Sequence, residues 1–304
     1  MHHRGQDVVQ SPARRSHGQA GRGHLDGHPR GRVNRGGRGI HNVEPGGWGK
    51  VQGVSGAAGT PVADAVAARA AELSANLDAL LARIEAACRA SGRAPDSVRM
   101  LPVTKFFPAR DVAILHDLGL REFGESREQE ASAKVAELSG LDGIAWHMIG
   151  RLQRNKAKVV ARWAHTVHSV DSERLATALD RGACAALAAG ERAEPVRVLV
   201  QVSLDADPAR GGVVPAELDA LADRIAAAEG LQLAGLMAIP PLDAEPDSAF
   251  ALLETLHTRI LARHPGAREL SAGMSGDLES AIAHGSTCVR VGTALMGARP
   301  ITSG

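Results

Sequence analysis

Lys105 closes an apolar run, Val98-Arg99-Met100-Leu101-Pro102-Val103-Thr104-Lys105, and is followed by Phe106-Phe107-Pro108. The chain has five lysines: Lys50 lies in a Gly-rich stretch, and Lys134, Lys156 and Lys158 lie in polar, helix-like contexts. Lys105 alone follows an apolar run. A lysine withdrawn from water shifts toward its neutral amine, and a neutral amine attacks a carbonyl to form an imine. The alternative is a strand-end lysine that snorkels to solvent and keeps its ordinary charge.

Two further segments carry matching chemistry. Leu270-Ser271-Ala272-Gly273-Met274-Ser275-Gly276-Asp277 puts the Ser275 hydroxyl directly before a helix. Cys288-Val289-Arg290-Val291-Gly292-Thr293 ends with a backbone open to close approach at Gly292 and a hydroxyl and amide at Thr293. Together they form a phosphate cup, although Ser before a helix is by itself a plain N-cap. Strand alternation sets Val289 and Val291 on one side and Arg290 with Cys288 on the other. An outward Arg290 reaches solvent. An inward Arg290 needs a buried acceptor, and a heteroaromatic nitrogen would serve. An imine lysine, a phosphate cup and an arginine aimed at a ring nitrogen describe a site for pyridoxal 5′-phosphate.

Such a site needs a scaffold. Leu73, Leu77, Leu80, Leu81 and Ile84 recur at helical spacing, which predicts an amphipathic helix over 62–90, ended by Ser91-Gly92. Short apolar runs then predict strands at 98–104, 122–125, 144–149, 165–170, 196–204, 231–239, 269–274 and 288–292. Helices are predicted between them at 108–118, 127–139, 155–163, 172–188, 215–228, 246–263 and 276–284. Helix starts are read at Asn155, at Asp171-Ser172 with Glu173, and at Pro215. Strict alternation means parallel strands with crossover helices, and eight units predict a single (β/α)8 barrel of the TIM type with an extra N-terminal helix. A doubly wound sheet would usually carry a Gly-rich fingerprint after its first strand, and here that position reads Lys105-Phe106-Phe107-Pro108. In a barrel, the loops after strands seven and eight commonly hold phosphate, which is where Ser275, Gly292 and Thr293 fall.

Composition narrows the rest. Residues 1–59 hold eight Arg and one Lys against two Asp and one Glu, a net +6, while the whole chain carries +1. The same stretch has 15 of the 34 glycines and no period. It reads as a disordered Arg/Gly-rich extension over 1–60, with the barrel domain over 61–304. Trp48 is its one aromatic residue, which leaves little for bases to stack on and argues against nucleic acid. No apolar run approaches the roughly 18 residues of a membrane span, and the N-terminus has no apolar signal region. Cys88, Cys184 and Cys288 are scattered, without metal or redox spacing, and read as reduced residues of a cytoplasmic protein. The chain has no tyrosine.

The chain also resembles the pyridoxal phosphate homeostasis proteins, which look like the barrel domain of alanine racemase standing alone. The likeness spans about Leu73 to Arg299. It rests on Val103-Thr104-Lys105, Phe123-Gly124-Glu125, Trp146-His147-Met148-Ile149-Gly150 with Leu152-Gln153 and Asn155-Lys156, Gly235-Leu236-Met237-Ala238-Ile239-Pro240, Gly273-Met274-Ser275 and Val289-Arg290-Val291-Gly292-Thr293. The resemblance implies that Lys105 carries the cofactor imine, that Ser275, Gly292 and Thr293 hold its phosphate, and that Arg290 meets its pyridine nitrogen. Met274 joins this set, although Met237 and Met274 also read as barrel filling. The family usually has Asn after Phe-Gly-Glu, near the cofactor; here Ser126 stands there, and its shorter side chain loses a hydrogen bond or passes it to water. His147 reads either as a ring or proton donor at the cofactor or as a strand residue satisfied by its neighbours; Trp146 reads as core.

Two-base racemisation in alanine racemase uses a lysine and a tyrosine from a second domain, and this chain has neither the domain nor a tyrosine. The expectation is therefore a monomer that binds and buffers pyridoxal phosphate and delivers it to apo-enzymes without efficient catalysis. The alternative is a slow pyridoxal-phosphate-dependent amino-acid racemase.

Overall fold

The computed structural model describes residues 61–205, 207, 211–241 and 245–298. The expected disordered extension over 1–60 lies outside them. Eight parallel strands, β1 (Arg99–Pro102), β2 (Glu122–Glu125), β3 (Ala145–Met148), β4 (Thr166–Val170), β5 (Val196–Gln201), β6 (Leu231–Met237), β7 (Glu269–Ser271) and β8 (Cys288–Val291), form one sheet in the order β1-β8-β7-β6-β5-β4-β3-β2. Closure between β1 and β2 rests on a parallel bridge from Val103 to Gly124, with the Thr104 amide donating to the Gly124 carbonyl at 3.0 Å. The fold is a nearly closed α/β barrel of the TIM type, as the alternation predicts.

Crossover helices α2 (Ala109–Asp117), α3 (Glu128–Glu137), α4 (Ala157–Trp163), α5 (Glu173–Ala188), α6 (Leu218–Ala226), α7 (Pro246–Arg263) and α8 (Leu278–Ala283) surround the strands. The long α1 (Pro61–Ala90) precedes β1 and buries Leu73, Leu77, Leu80 and Ile84 in one cluster with Val112 and Leu115 of α2 and Leu278 and Ile282 of α8. It thereby covers the β8–β1 seam, where the chain after β8 supplies only the four-residue α9 (Thr293–Met296). Leu81 points outward. On the other side Val196, Val198 and Val200 of β5 are fully buried with Leu218, Ile225, Leu253 and Ile260. Burying a Val, Leu or Ile side chain stabilises by roughly 1.5–3 kcal/mol, which is why the strands read as near-continuous apolar runs.

The predicted helix starts are less accurate than the helices. Ser172 sits at the N-cap of α5, yet its hydroxyl makes no capping bond. The N-cap of α6 is Glu217, beyond Pro215. Among the described residues no helix is long and apolar enough to cross a membrane.

Candidate functional site

The C-terminal ends of the strands open onto a cavity of ≈ 560 Å³. Lys105, Ser126 and Arg290 line it, together with Met274, Ser275, Gly292 and Thr293. Seven of the eight residues predicted for the cofactor therefore meet at one mouth. His147 is the exception. It is fully buried inside the barrel and does not line the mouth. Of the two methionines, Met237 fills the barrel, whereas Met274 is 38 % exposed at the rim, so barrel filling is the wrong reading for Met274. Trp146 is core and packs against Phe123 with ring centroids 5.9 Å apart.

Lys105 stands in the turn after β1, not on the strand itself, because pairing ends at the Val103 bridge. That turn is held from below. Glu125, at the end of β2, is fully buried; its Oε1 accepts from the Thr104 hydroxyl at 2.6 Å and from Lys134 Nζ at 2.7 Å. Lys134 also donates to the Thr104 carbonyl at 2.8 Å and to Glu130 Oε1 at 2.9 Å, and Glu130 accepts the Phe106 amide at 2.6 Å. Phe106 has φ 71°, a left-handed backbone that costs a bulky residue on the order of 1–3 kcal/mol. The Glu125–Lys134–Glu130 cluster offsets this cost and locks the turn that presents Lys105. Burial pushes the Glu125 carboxyl up, opposed by Lys134 and Thr104.

Lys134 thus differs from its sequence reading: it lies on α3 and looks solvent-facing in the sequence, but is almost fully buried. The signal was Glu130 four residues ahead of it, paired with the Glu of Phe123-Gly124-Glu125.

The phosphate-cup residues come from two loops, after β7 and after β8, and β8 pairs directly with β1. The Ser275 hydroxyl accepts the Ala294 amide at 3.3 Å, tying the loop after β7 to the start of α9. A side chain at Gly292 would find ordinary contact distances of 3.6 Å to Val103, so packing within the protein does not demand glycine there. Gly150 differs: a Cβ would stand 2.1 Å from the Ser126 carbonyl oxygen. That close approach brings the loop after β3 against the loop after β2 at the rim.

Arg290 points inward, the second of the two orientations that the alternation left open. It is buried on β8; its Nη1 donates to the Ser271 carbonyl at 2.7 Å and to Ser271 Oγ at 2.8 Å, and its Nη2 donates to the Ala238 carbonyl at 3.0 Å. Three of the five guanidinium N–H groups are so engaged, leaving two for a ligand at the mouth. Burial pulls its pKa down, partly opposed by Cys288 and Asp277. Below it the barrel interior is polar. His147 Nδ1 lies 2.9 Å from His168 Nε2, and His168 Nδ1 lies 3.0 Å from Ser271 Oγ. Burial holds both rings well below the usual histidine range. His168 and Ser271 were not singled out in the sequence; their strands, Thr166–Val170 and Glu269–Ser271, each carry other polar residues that mask them. At the N-terminal ends of the strands, Arg99, Glu122, Glu269 and Arg197 alternate in charge, with contacts of 3.0, 3.2 and 2.6 Å for Arg99–Glu122, Arg99–Glu269 and Arg197–Glu269.

A mouth bearing an amine, guanidinium groups and three hydroxyls on a parallel barrel belongs to a known class. Residues 75–300 match the family described as alanine racemase, N-terminal domain. The pyridoxal phosphate homeostasis protein of Mycobacterium tuberculosis is 56% identical over 247 residues, covering 77% of this chain and 96% of that protein. The Escherichia coli K12 protein of the same name is 38% identical over 229 residues, covering 74% and 95%. The structure of PipY from Synechococcus elongatus with pyridoxal phosphate bound is 37% identical, with a TM-score of 0.61 over 71% of this chain and all of that one. Alanine racemase from Corynebacterium glutamicum, 17% identical with a TM-score of 0.52, shares the fold over 75% of this chain and 63% of its own. The chain belongs to the pyridoxal phosphate homeostasis protein family.

Proposed function

We propose that this protein binds pyridoxal 5′-phosphate at the barrel mouth, buffers it and delivers it to apo-enzymes, without efficient catalysis of its own. The observation that carries this reading is the meeting of Lys105, Arg290, Ser275 and Thr293 around one cavity. The donor set fits the cofactor: an amine for its aldehyde, a cation for its ring nitrogen, and hydroxyls with backbone amides for its phosphate. Bound there, the cofactor supplies a reactive aldehyde carbon and an electron-withdrawing ring. Lys105 holds the aldehyde carbon as an imine. Ser275, Gly292 and Thr293 take the phosphate, and Ser126 and Met274 border the ring. PipY, with pyridoxal phosphate bound, supports this assignment by its likeness.

Arg290 also argues against turnover. Guanidinium can only donate, so a ring nitrogen facing it stays unprotonated and the ring is a weaker electron sink. Racemisation needs a positioned acid or base on each face of the substrate. Among the described residues lining the mouth, no imidazole, carboxylate or phenol accompanies Lys105. His147, the other candidate base, is committed to His168 inside the barrel.

The test is hydrogen exchange at Cα of alanine in heavy water. The loaded protein should exchange the proton no faster than free pyridoxal phosphate. Rapid exchange with inversion, lost in Lys105→Ala, would make this an enzyme.

A further inference from the structure

A single file of hydrogen bonds runs from the mouth into the barrel interior. It begins at Arg290 Nη1, passes Ser271 Oγ at 2.8 Å and His168 Nδ1 at 3.0 Å, and continues from His168 Nε2 to His147 Nδ1 at 2.9 Å. Beyond the file, His147 Nε2 lies 3.5 Å from Glu122 Oε2 without a hydrogen bond between them. The four hydrogen-bonded residues come from β8, β7, β4 and β3, and Glu122 from β2. All but Glu122 are buried.

The two ends of this file set its direction. Arg290 is an obligate donor, so Ser271 Oγ must accept from it. The Ser271 hydroxyl hydrogen is then directed at His168 Nδ1. Because burial keeps His168 neutral, its one proton sits on Nε2 and is donated to His147 Nδ1. His147 is neutral for the same reason, and its proton is left on Nε2, facing the Glu122 carboxylate. That carboxylate is paired with Arg99 at 3.0 Å and is an acceptor. Every donor in the file points the same way. In the reverse order Ser271 Oγ would accept from both Arg290 and His168, and an imidazole lone pair would face a carboxylate. Both are costly in a buried site.

We propose that Ser271, His168 and His147 are positioning residues for the cofactor: their one-way file of hydrogen bonds fixes the Arg290 guanidinium so that its remaining N–H groups meet the ring nitrogen. The proposal rests on the reading that Arg290 faces the cofactor ring. It gives the polar barrel interior a role that packing alone does not require, since an apolar filling of the same volume would serve stability equally well.

The tautomers can be read without cofactor. In full-length wild-type protein stripped of pyridoxal phosphate and labelled with nitrogen-15 histidine, both His147 and His168 should show protonated Nε2 and unprotonated Nδ1 in long-range nitrogen–proton correlation spectra. A protonated Nδ1 on either ring, or averaging between tautomers, overturns the directed file. Cofactor binding then tests its purpose. Ser271→Ala keeps the two carbonyl bonds of Arg290 but cuts the file. It should weaken pyridoxal phosphate binding by roughly 10-fold and shift the absorbance maximum of the bound cofactor. Ser271→Thr, which keeps the hydroxyl, should restore both. Unchanged binding and spectrum in Ser271→Ala would overturn the positioning role. If Arg290→Ala also bound the cofactor normally, the reading of Arg290 at the ring would fall while the tautomer result stood on its own.

Discussion

Acidification below the ordinary histidine value should destabilise this protein through two buried rings. His147 and His168 are held neutral by burial, far below the histidine value of 6.5 that the unfolded chain regains. Below pH 6.5 the unfolded chain therefore binds protons that the folded chain refuses. The stability these rings contribute is present above that pH and is lost as the pH falls through it. Between pH 6.5 and 5.5 each such ring costs about 1 kcal/mol, so the pair costs about 2 kcal/mol. His165 and His257, also lowered by burial, act in the same direction. Glu122 and Glu125, raised by burial, act against it: their folded carboxyls take up protons above the ordinary value of 4.5, which relieves their burial cost as the pH falls toward that value. Urea unfolding of the cofactor-free protein at the two pH values measures the sum. His168→Gln keeps a donor and an acceptor in the barrel but cannot titrate, so its loss over the same interval should shrink by about 1 kcal/mol. Equal losses in the two proteins, or a wild type more stable at pH 5.5, would refute the argument.

Other perturbations separate the parts of the site. Lys134→Ala leaves Glu125 buried with its Thr104 bond but without its cation, and should cost about 3–5 kcal/mol in thermal or urea unfolding; a loss under about 1 kcal/mol would mean the cluster does not hold the Lys105 turn. Thr293→Val should weaken binding of pyridoxal phosphate more than binding of phosphate-free pyridoxal, measured by titration, and equal losses would remove Thr293 from the phosphate cup. A chain beginning at Thr60 should keep its thermal midpoint and cofactor content, because the first 59 residues have no period with which to form a core; a clear drop in either would show that they support the barrel.

The barrel was legible because its strands are buried on both faces and its helices keep a 3.6-residue stripe, so both periods survive in the sequence. The end of β1 was less so. Thr104 and Lys105 extend an apolar run, but pairing stops at Val103, and the turn is set by Glu125 and Lys134, which reach it through space. Lys105, Ser275 and Thr293 were legible as mouth residues because each lies at a strand end, whereas alternation grouped Arg290 with Cys288 without deciding which way the pair faces. His147 was not, because the position of a ring along the barrel axis depends on register, and register with β4 puts it against His168 and away from the mouth. The directed file through His168 and Ser271 is built from four strands and has no local signature at all.

The most direct test of the central claim is to load the purified protein with pyridoxal phosphate, reduce it with borohydride and map the modified peptide. The account predicts a single stable adduct on Lys105, and none in Lys105→Ala. An adduct on Lys134, Lys156 or Lys158 at full stoichiometry, or a bound cofactor that borohydride fails to fix to the chain, would contradict it.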